Sequence, residues 1–163
     1  MPPSCQIGGE RPLTPGEVAL ARSVFGDAID CARVTIRRRK FFPFQPQRVT
    51  MAPRGHLHFH PASAAYCDDF ATAALHRQGL FIHEMTHVWQ TQTRGEFYLL
   101  LHRHPWCRYD YAIRPGQPLV GYGIEQQAEV VRHAFLLRAG GKVVGAPPLD
   151  IYQQILPFHG IPD

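Results

Sequence analysis

The stretch His83-Glu84-Met85-Thr86-His87 constrains this chain more than any other. Two histidines four apart fall on one face of an α-helix, because a turn takes 3.6 residues. The flanks support a helix. Phe81, Ile82, Met85, Val88 and Trp89 recur at helical spacing, and no Gly or Pro interrupts Leu80 to Thr93. A helix with such an apolar face is buried, and the imidazoles and carboxylate carried inward with it need partners. One divalent metal serves both imidazoles at once. His-Glu-x-x-His on a helix is the pattern of a zinc hydrolase, in which neutral imidazoles ligate Zn²⁺. Glu84, adjacent to the first ligand, then stands beside the metal's open position as a base for zinc-bound water. The spacing predicts one zinc per chain on His83 and His87, with Glu84 catalytic.

A catalytic zinc takes three protein ligands and leaves a fourth position for water. A second helical pattern opens at Gly121-Tyr-Gly-Ile-Glu125 and ends at Gly140-Gly141, with Ile124, Ala128, Val131 and Phe135 along one stripe. Glu125 lies near its start and can face the first helix. Ala128, one turn on, is small enough for close approach. Glu129 shares the face at i+4 and is placed to hydrogen-bond a ligand histidine from outside the metal's shell. Taken alone, Glu125 and Glu129 read as surface carboxylates. With the histidine pair upstream, Glu125 becomes the expected third ligand.

His-Glu-x-x-His followed by a helix reading Glu125-Gln-Gln-Ala128-Glu129 resembles the gluzincin group of zinc metallopeptidases, especially its small single-domain members. More narrowly, the chain is similar to the metallopeptidase-like domain found near bacterial contractile injection and type VI secretion genes, including proteins labelled Vgr-related. Leu13-Thr-Pro-Gly-Glu17, Val24-Phe-Gly-Asp-Ala-Ile29 and Gly79 to Gln90 carry that likeness together with the glutamate helix. The resemblance implies an α+β, zincin-like (minigluzincin) domain over residues 1–163: a short twisted sheet with a hairpin, packed on the motif helix, and a second helix bearing the third ligand. It implies hydrolysis of a peptide (amide) bond in a peptide or protein substrate. It also admits a non-catalytic metal-binding module of a secretion apparatus, or an amidase acting on peptidoglycan stems. Glu84 speaks for catalysis, since a structural site needs closed coordination and no base.

Zincins pair extended substrate with a sheet strand bordering the cleft, a form of strand addition. Val49-Thr-Met51 and His56 to His60 read as two strands around Ala52-Pro-Arg-Gly55, hence a hairpin. The counterpart substrate strand here is Gly55, His56, Leu57, His58 and Phe59, with Leu57 and Phe59 inward and the histidines outward. Three alternating histidines could form a second metal site, but alternation on an exposed strand is the simpler account. Metallopeptidases also set a Tyr, His or Arg opposite the metal against the oxyanion. Between the two helices, Tyr122 and Tyr111 are the candidates.

Elsewhere, Thr14-Pro15-Gly16-Glu17 reads as a capped helix start, running to Phe25 and stopping at Gly26. Val34 to Ile36 reads as a strand, Asp68 to His76 as a short helical stretch, and Asp150 to Leu156 as another before a Pro-rich end. An apolar share of 45% with 18% charged is that of a soluble globular protein. Apolar runs such as Phe97 to Leu101 are too short for a membrane span, and the N-terminus lacks a signal-peptide layout. The chain is therefore expected in the cytoplasm as synthesised, with export left to a route that ignores signal peptides. Cys5, Cys31, Cys67 and Cys107 are scattered and expected reduced; Cys107 near His102 and His104 is a cysteine–histidine pair that no spacing orients. A net charge of +4 with one dense basic run, Arg37 to Lys40, is a weak footprint for nucleic acid.

Overall fold

The computed structural model describes residues 4–159; the last residues of the Pro-rich end lie outside them. Its first helix, α1 (Pro15–Phe25), begins on a complete capping box. The Thr14 hydroxyl accepts from Glu17 N at 3.0 Å, and the Glu17 carboxylate accepts from Thr14 N at 2.9 Å. Glu17 does more than cap. Its two oxygens take both Nη groups of Arg11 at 2.8 and 2.9 Å, and Oε1 also accepts from Phe70 N at 3.0 Å. Arg11 further donates to Cys67 O. One buried, bidentate ion pair thus ties the first strand, α1 and the segment before the motif helix together.

Three short strands form the sheet: β1 (Glu10–Pro12), β2 (Thr35–Arg37) and β3 (Leu57–His58), in the order β1-β2-β3. β1 and β2 are antiparallel, while β2 and β3 are parallel, with Ile36 opposite Leu57. The expected hairpin is reduced to an antiparallel bridge between Met51 and His58. The pairing that β3 makes is instead with a strand twenty residues upstream, across a proline-rich connection that sequence periodicity cannot register. The short helical stretch expected before the motif is a 3-10 turn, Phe70–Thr72.

The motif helix α2 spans Leu75–Arg94, about a turn longer at its start than the uninterrupted run suggests. Gly79 sits within it. A Cβ there would come within 3.0 Å of Leu136 on the second long helix, α4 (Ile124–Arg138), so the glycine permits the helices to close up. Two further short helices, α3 (Tyr98–His102) and α5 (Leu149–Gln153), complete the set. Among the described residues no helix is long and apolar enough to cross a membrane.

The apolar face of α2 is where the sheet docks. Phe59 after β3, Phe70 in the 3-10 turn and Phe81 on α2 stack in series with centroids 5.5 Å apart at each step, and all three are fully buried. Each such side chain contributes roughly 1.5–3 kcal/mol by leaving water. On the far end of the same face, Trp89 packs edge-on against Phe158, which also meets Phe25 of α1. The result is a small mixed α+β unit in which sheet, turn and α1 fix one side of α2 and α4 fixes the other.

Glu17→Ala is expected to destabilise the fold by about 3–5 kcal/mol, because it leaves the Arg11 charge buried without its partner. Urea unfolding of the two proteins checks this; a loss below about 1 kcal/mol would show that Arg11 finds other compensation.

Candidate metal centre

His83 and His87 lie one turn apart on the face of α2 that meets α4. That contact is the most extensive between any two elements. It is close because Gly79 and the fully buried Ala128 present little side chain. At this crossing Glu125, in the first turn of α4, places Oε2 at 3.2 Å from His83 Nε2 and 3.2 Å from His87 Nε2. Ligand atoms of all three residues lie within 4.8 Å of one another. All three side chains are buried.

The outer nitrogens determine what the inner ones present. His83 Nδ1 is 2.8 Å from Glu129 Oε1, and His87 Nδ1 is 2.8 Å from Gln90 Oε1. Both acceptors require an N–H, so in the neutral rings each Nε2 turns a lone pair toward Glu125. Two lone pairs and a carboxylate oxygen facing one another repel unless a cation stands among them. Four donors 2.0–2.1 Å from a tetrahedral zinc are about 3.3 Å apart, close to the two spacings found here. The donor set, two imidazoles and a carboxylate, also fits zinc. A proton supplies the positive charge otherwise: burial opposes the imidazolium of His83, but hydrogen bonds to Glu125 and Glu129 prevail and push it up to about 9. Burial likewise opposes ionisation of Glu125 and Glu129, yet their histidine partners hold both carboxyls well below the usual range.

Glu84 is also buried, and its Oε2 has no hydrogen-bond partner among the described residues. Its charge acts on His83, Arg103 and Tyr109, which locates it beside the cluster without making it a member. A buried carboxylate oxygen left unpaired is costly.

Several neighbours were not visible in the sequence pattern. Arg103 Nε lies 2.6 Å from Glu125 Oε1, an ion pair rather than an aligned hydrogen bond. Arg103 also lies near the Tyr109 hydroxyl, and the Tyr109 ring lies nearly parallel to His83 with centroids 6.3 Å apart. Both belong to the irregular segment between α3 and α4, where no periodicity marks a face. Gln90 could have been found, since it stands at i+3 from His87 on the same helix. Its amide also donates to Ile124 O and Gln127 Oε1, locking α2 to the start of α4.

The two expected oxyanion tyrosines are placed differently. Tyr122 is buried, and its hydroxyl accepts from Arg114 N at 2.9 Å. The Tyr111 hydroxyl lies against His133 and Tyr152. Neither is aimed at the three donors; the tyrosine beside them is Tyr109.

The expected substrate strand is corrected as well. Backbone groups of β3 are taken on both sides, by β2 and by Met51, and Gln45 donates to His58 O as well. Leu57 and Phe59 are buried as expected, but so is His58, which was expected outward. His56 Nδ1 faces the Thr35 hydroxyl, and His60 Nδ1 accepts from Ala62 N. The three histidines thus do not converge. Gly55 and His56 border a groove with Thr91 and Gln92, toward the end of α2 and away from the three donors. In the basic run, Arg37 and Arg39 pair with Glu10, and Arg38 lies over Tyr66. Cys107 Sγ accepts from His104 N, so that thiol faces a backbone amide rather than an imidazole.

No family model matches the chain. Over 141 residues it is 42% identical to the type VI secretion system spike protein VgrG2b of Pseudomonas aeruginosa, a match covering 82% of this chain and 13% of that protein. The chain therefore spans about an eighth of the curated relative's length. Among solved structures, the effector domain of P. aeruginosa VgrG2b superposes with a TM-score of 0.69 at 38% identity, covering 84% of this chain and 78% of that one.

Burial, then the nearby Arg37 charge, holds His58 down to about 4 from the ordinary 6.5. Between these values the unfolded chain binds a proton that the folded chain does not. Stability contributed by neutral His58 is complete above pH 6.5 and is lost as pH falls toward 4, by up to about 3 kcal/mol. His58→Phe should therefore show a shallower fall over that window in urea unfolding at stepped pH; parallel curves would refute the assignment.

Proposed function

The chain belongs to the family of the VgrG2b effector domain, and from that premise we propose that it is an effector module of a type VI secretion system that hydrolyses peptide (amide) bonds with zinc. Family membership supports the first half. The second rests on one observation: two imidazoles and a carboxylate converge at a spacing that suits zinc, with Glu84 buried beside them and its Oε2 without a hydrogen-bond partner among the described residues. In this reading the domain is a small zincin of gluzincin type. Its export passes through the secretion apparatus rather than a signal-peptide route.

His83, His87 and Glu125 would hold the ion, and zinc, when bound, would lower the pKa of water toward about 7 and polarise a carbonyl. Glu84 takes the proton of the attacking water and delivers it to the leaving amine. Glu129 and Gln90 keep the two imidazoles in the ligating tautomer by accepting from their Nδ1–H groups. Arg103, which contacts Glu125, and Tyr109 near it would orient the substrate carbonyl. The cleaved bond lies in a protein or in a peptidoglycan stem; the same chemistry serves both.

A second reading draws on the relative's being a spike protein: a metal-holding module of the apparatus that turns nothing over. Glu84 separates the two. Purified protein should carry about one zinc per chain, and His83→Ala or His87→Ala should abolish uptake. Glu125→Ala should weaken retention more than Glu129→Ala, whose loss should be on the order of 10–100-fold. Glu84→Gln should keep zinc and fold while lowering turnover of peptide or peptidoglycan fragments by about 10²–10⁴-fold. Protein without zinc by metal analysis would overturn the metal reading. Zinc uptake without turnover in the parent on either substrate set would favour the spike module.

A further inference from the structure

Tyr111 has a consistent role if the hydrogen bonds beyond Glu129 are followed outward. Glu129 is held at both oxygens. Oε1 accepts from His83 Nδ1 at 2.8 Å and from Arg132 at 3.1 Å, while Oε2 faces His133 Nε2 at 3.2 Å. His133 Nδ1 is 2.6 Å from the Tyr111 hydroxyl, which is 2.7 Å from the hydroxyl of Tyr152. Tyr152 is fully buried, so its O–H must be spent on a protein partner.

The directions follow from donor and acceptor bookkeeping. A carboxylate only accepts, so His133 Nε2 carries the proton facing Glu129. In neutral His133, Nδ1 is then an acceptor and takes the Tyr111 O–H. The Tyr111 oxygen in turn takes the O–H of Tyr152. Each donor meets one acceptor, all aligned toward Glu129, and bonds in such a chain reinforce one another. The chain joins α5 to α2 through α4, and Glu129, His133, Tyr111 and Tyr152 all line a cavity of about 1100 Å³ between residues 109–120 and the C-terminal segment.

From this geometry we infer that His133 and Tyr111 are positioning residues for the metal centre, acting on His83 through Glu129. With both oxygens held, the Glu129 carboxylate cannot rotate, and its Oε1 fixes the plane of the His83 ring and the aim of Nε2. Arg132 cannot replace His133 here, because it engages the same oxygen as His83. The inference rests on the metal reading above and goes one residue further from the ion on each step.

Zinc affinity, measured by competition with a chromophoric chelator, tests it in a double-mutant cycle. His133→Ala should weaken affinity by about 3–10-fold, less than the 10–100-fold expected of a direct partner of a ligand histidine. In a Glu129→Ala background the same change should have no further effect, because its route to His83 is gone. His133→Gln, which keeps an N–H for Glu129, should restore most of the affinity, and Tyr111→Phe should lower it by about 2–3-fold. Equal losses from His133→Ala in both backgrounds, or no loss in the parent, would overturn the relay while leaving zinc binding intact. A parent protein that takes up no zinc fails the metal reading itself, a separate outcome. Far-ultraviolet circular dichroism and the unfolding midpoint of each variant identify any that misfolds, and Tyr111→Phe, which keeps the ring, then decides the test.

Discussion

Three electron-rich atoms held within 4.8 Å of one another need a reason, and the reason lies in the crossing of α2 and α4. Gly79 and Ala128 let these helices approach until Glu125 Oε2 stands 3.2 Å from both Nε2 atoms. Apolar packing on the opposite face of α2, from Phe59, Phe70 and Phe81 through Trp89, holds the crossing closed. The close approach of the three side chains is thus sustained by burial elsewhere, and a positive charge at the crossing, which a proton on His83 can supply, offsets the repulsion among them. Polar ties make the geometry specific: Gln90 reaches Ile124 O and Gln127, and Glu129 reaches back to His83. Either helix moved by a residue would lose both.

What could be read from the sequence follows the range of the interaction that decides it. His83, His87, Glu125 and Glu129 were legible because helix periodicity alone sets which residues share a face, and a metal's need for donors links the two helices. The capping box at Thr14 and Glu17 is local in the same sense. The sheet is not. β1 contains a proline and only three residues, and β3 pairs parallel with β2 across a long irregular connection. Turn signals around Gly55 suggested a hairpin, and the Met51–His58 bridge is what remains of it. His58 alternates as an exposed residue would, yet it is buried against Phe41 because the pairing that covers it comes from another part of the chain.

The tyrosines illustrate the same limit at the site. Between Gly95 and Gly123 the only α-helix is α3, so residue type was the sole guide to which aromatic faces the donors. The Tyr111 hydroxyl meets His133 and Tyr152 and the Tyr122 hydroxyl meets the Arg114 backbone, while Tyr109, two residues from Tyr111, lies beside His83. In an irregular segment neighbouring side chains point in unrelated directions, and only the folded backbone distinguishes them. The segment is nonetheless held in place: Gln126 donates to Asp110 O, and Tyr122 receives Arg114 N.

That combination assigns different tasks to the two halves of the site. Donors and their outer partners come from helices fixed by the core, so their geometry survives change at the surface. Arg103 and Tyr109 come from a segment with exposed apolar side chains, Trp106 and Leu101 among them, and few backbone ties. Loops tolerate substitution better than the elements they connect, and groups that meet a ligand are often placed on them. Arg103 nonetheless reaches the rigid half directly, through Glu125 Oε1, so any movement of the loop is felt at a donor. A change in the segment that shifts Arg103 therefore alters both what the cleft presents and how firmly the third carboxylate is held, and the two effects cannot be separated by moving the loop alone.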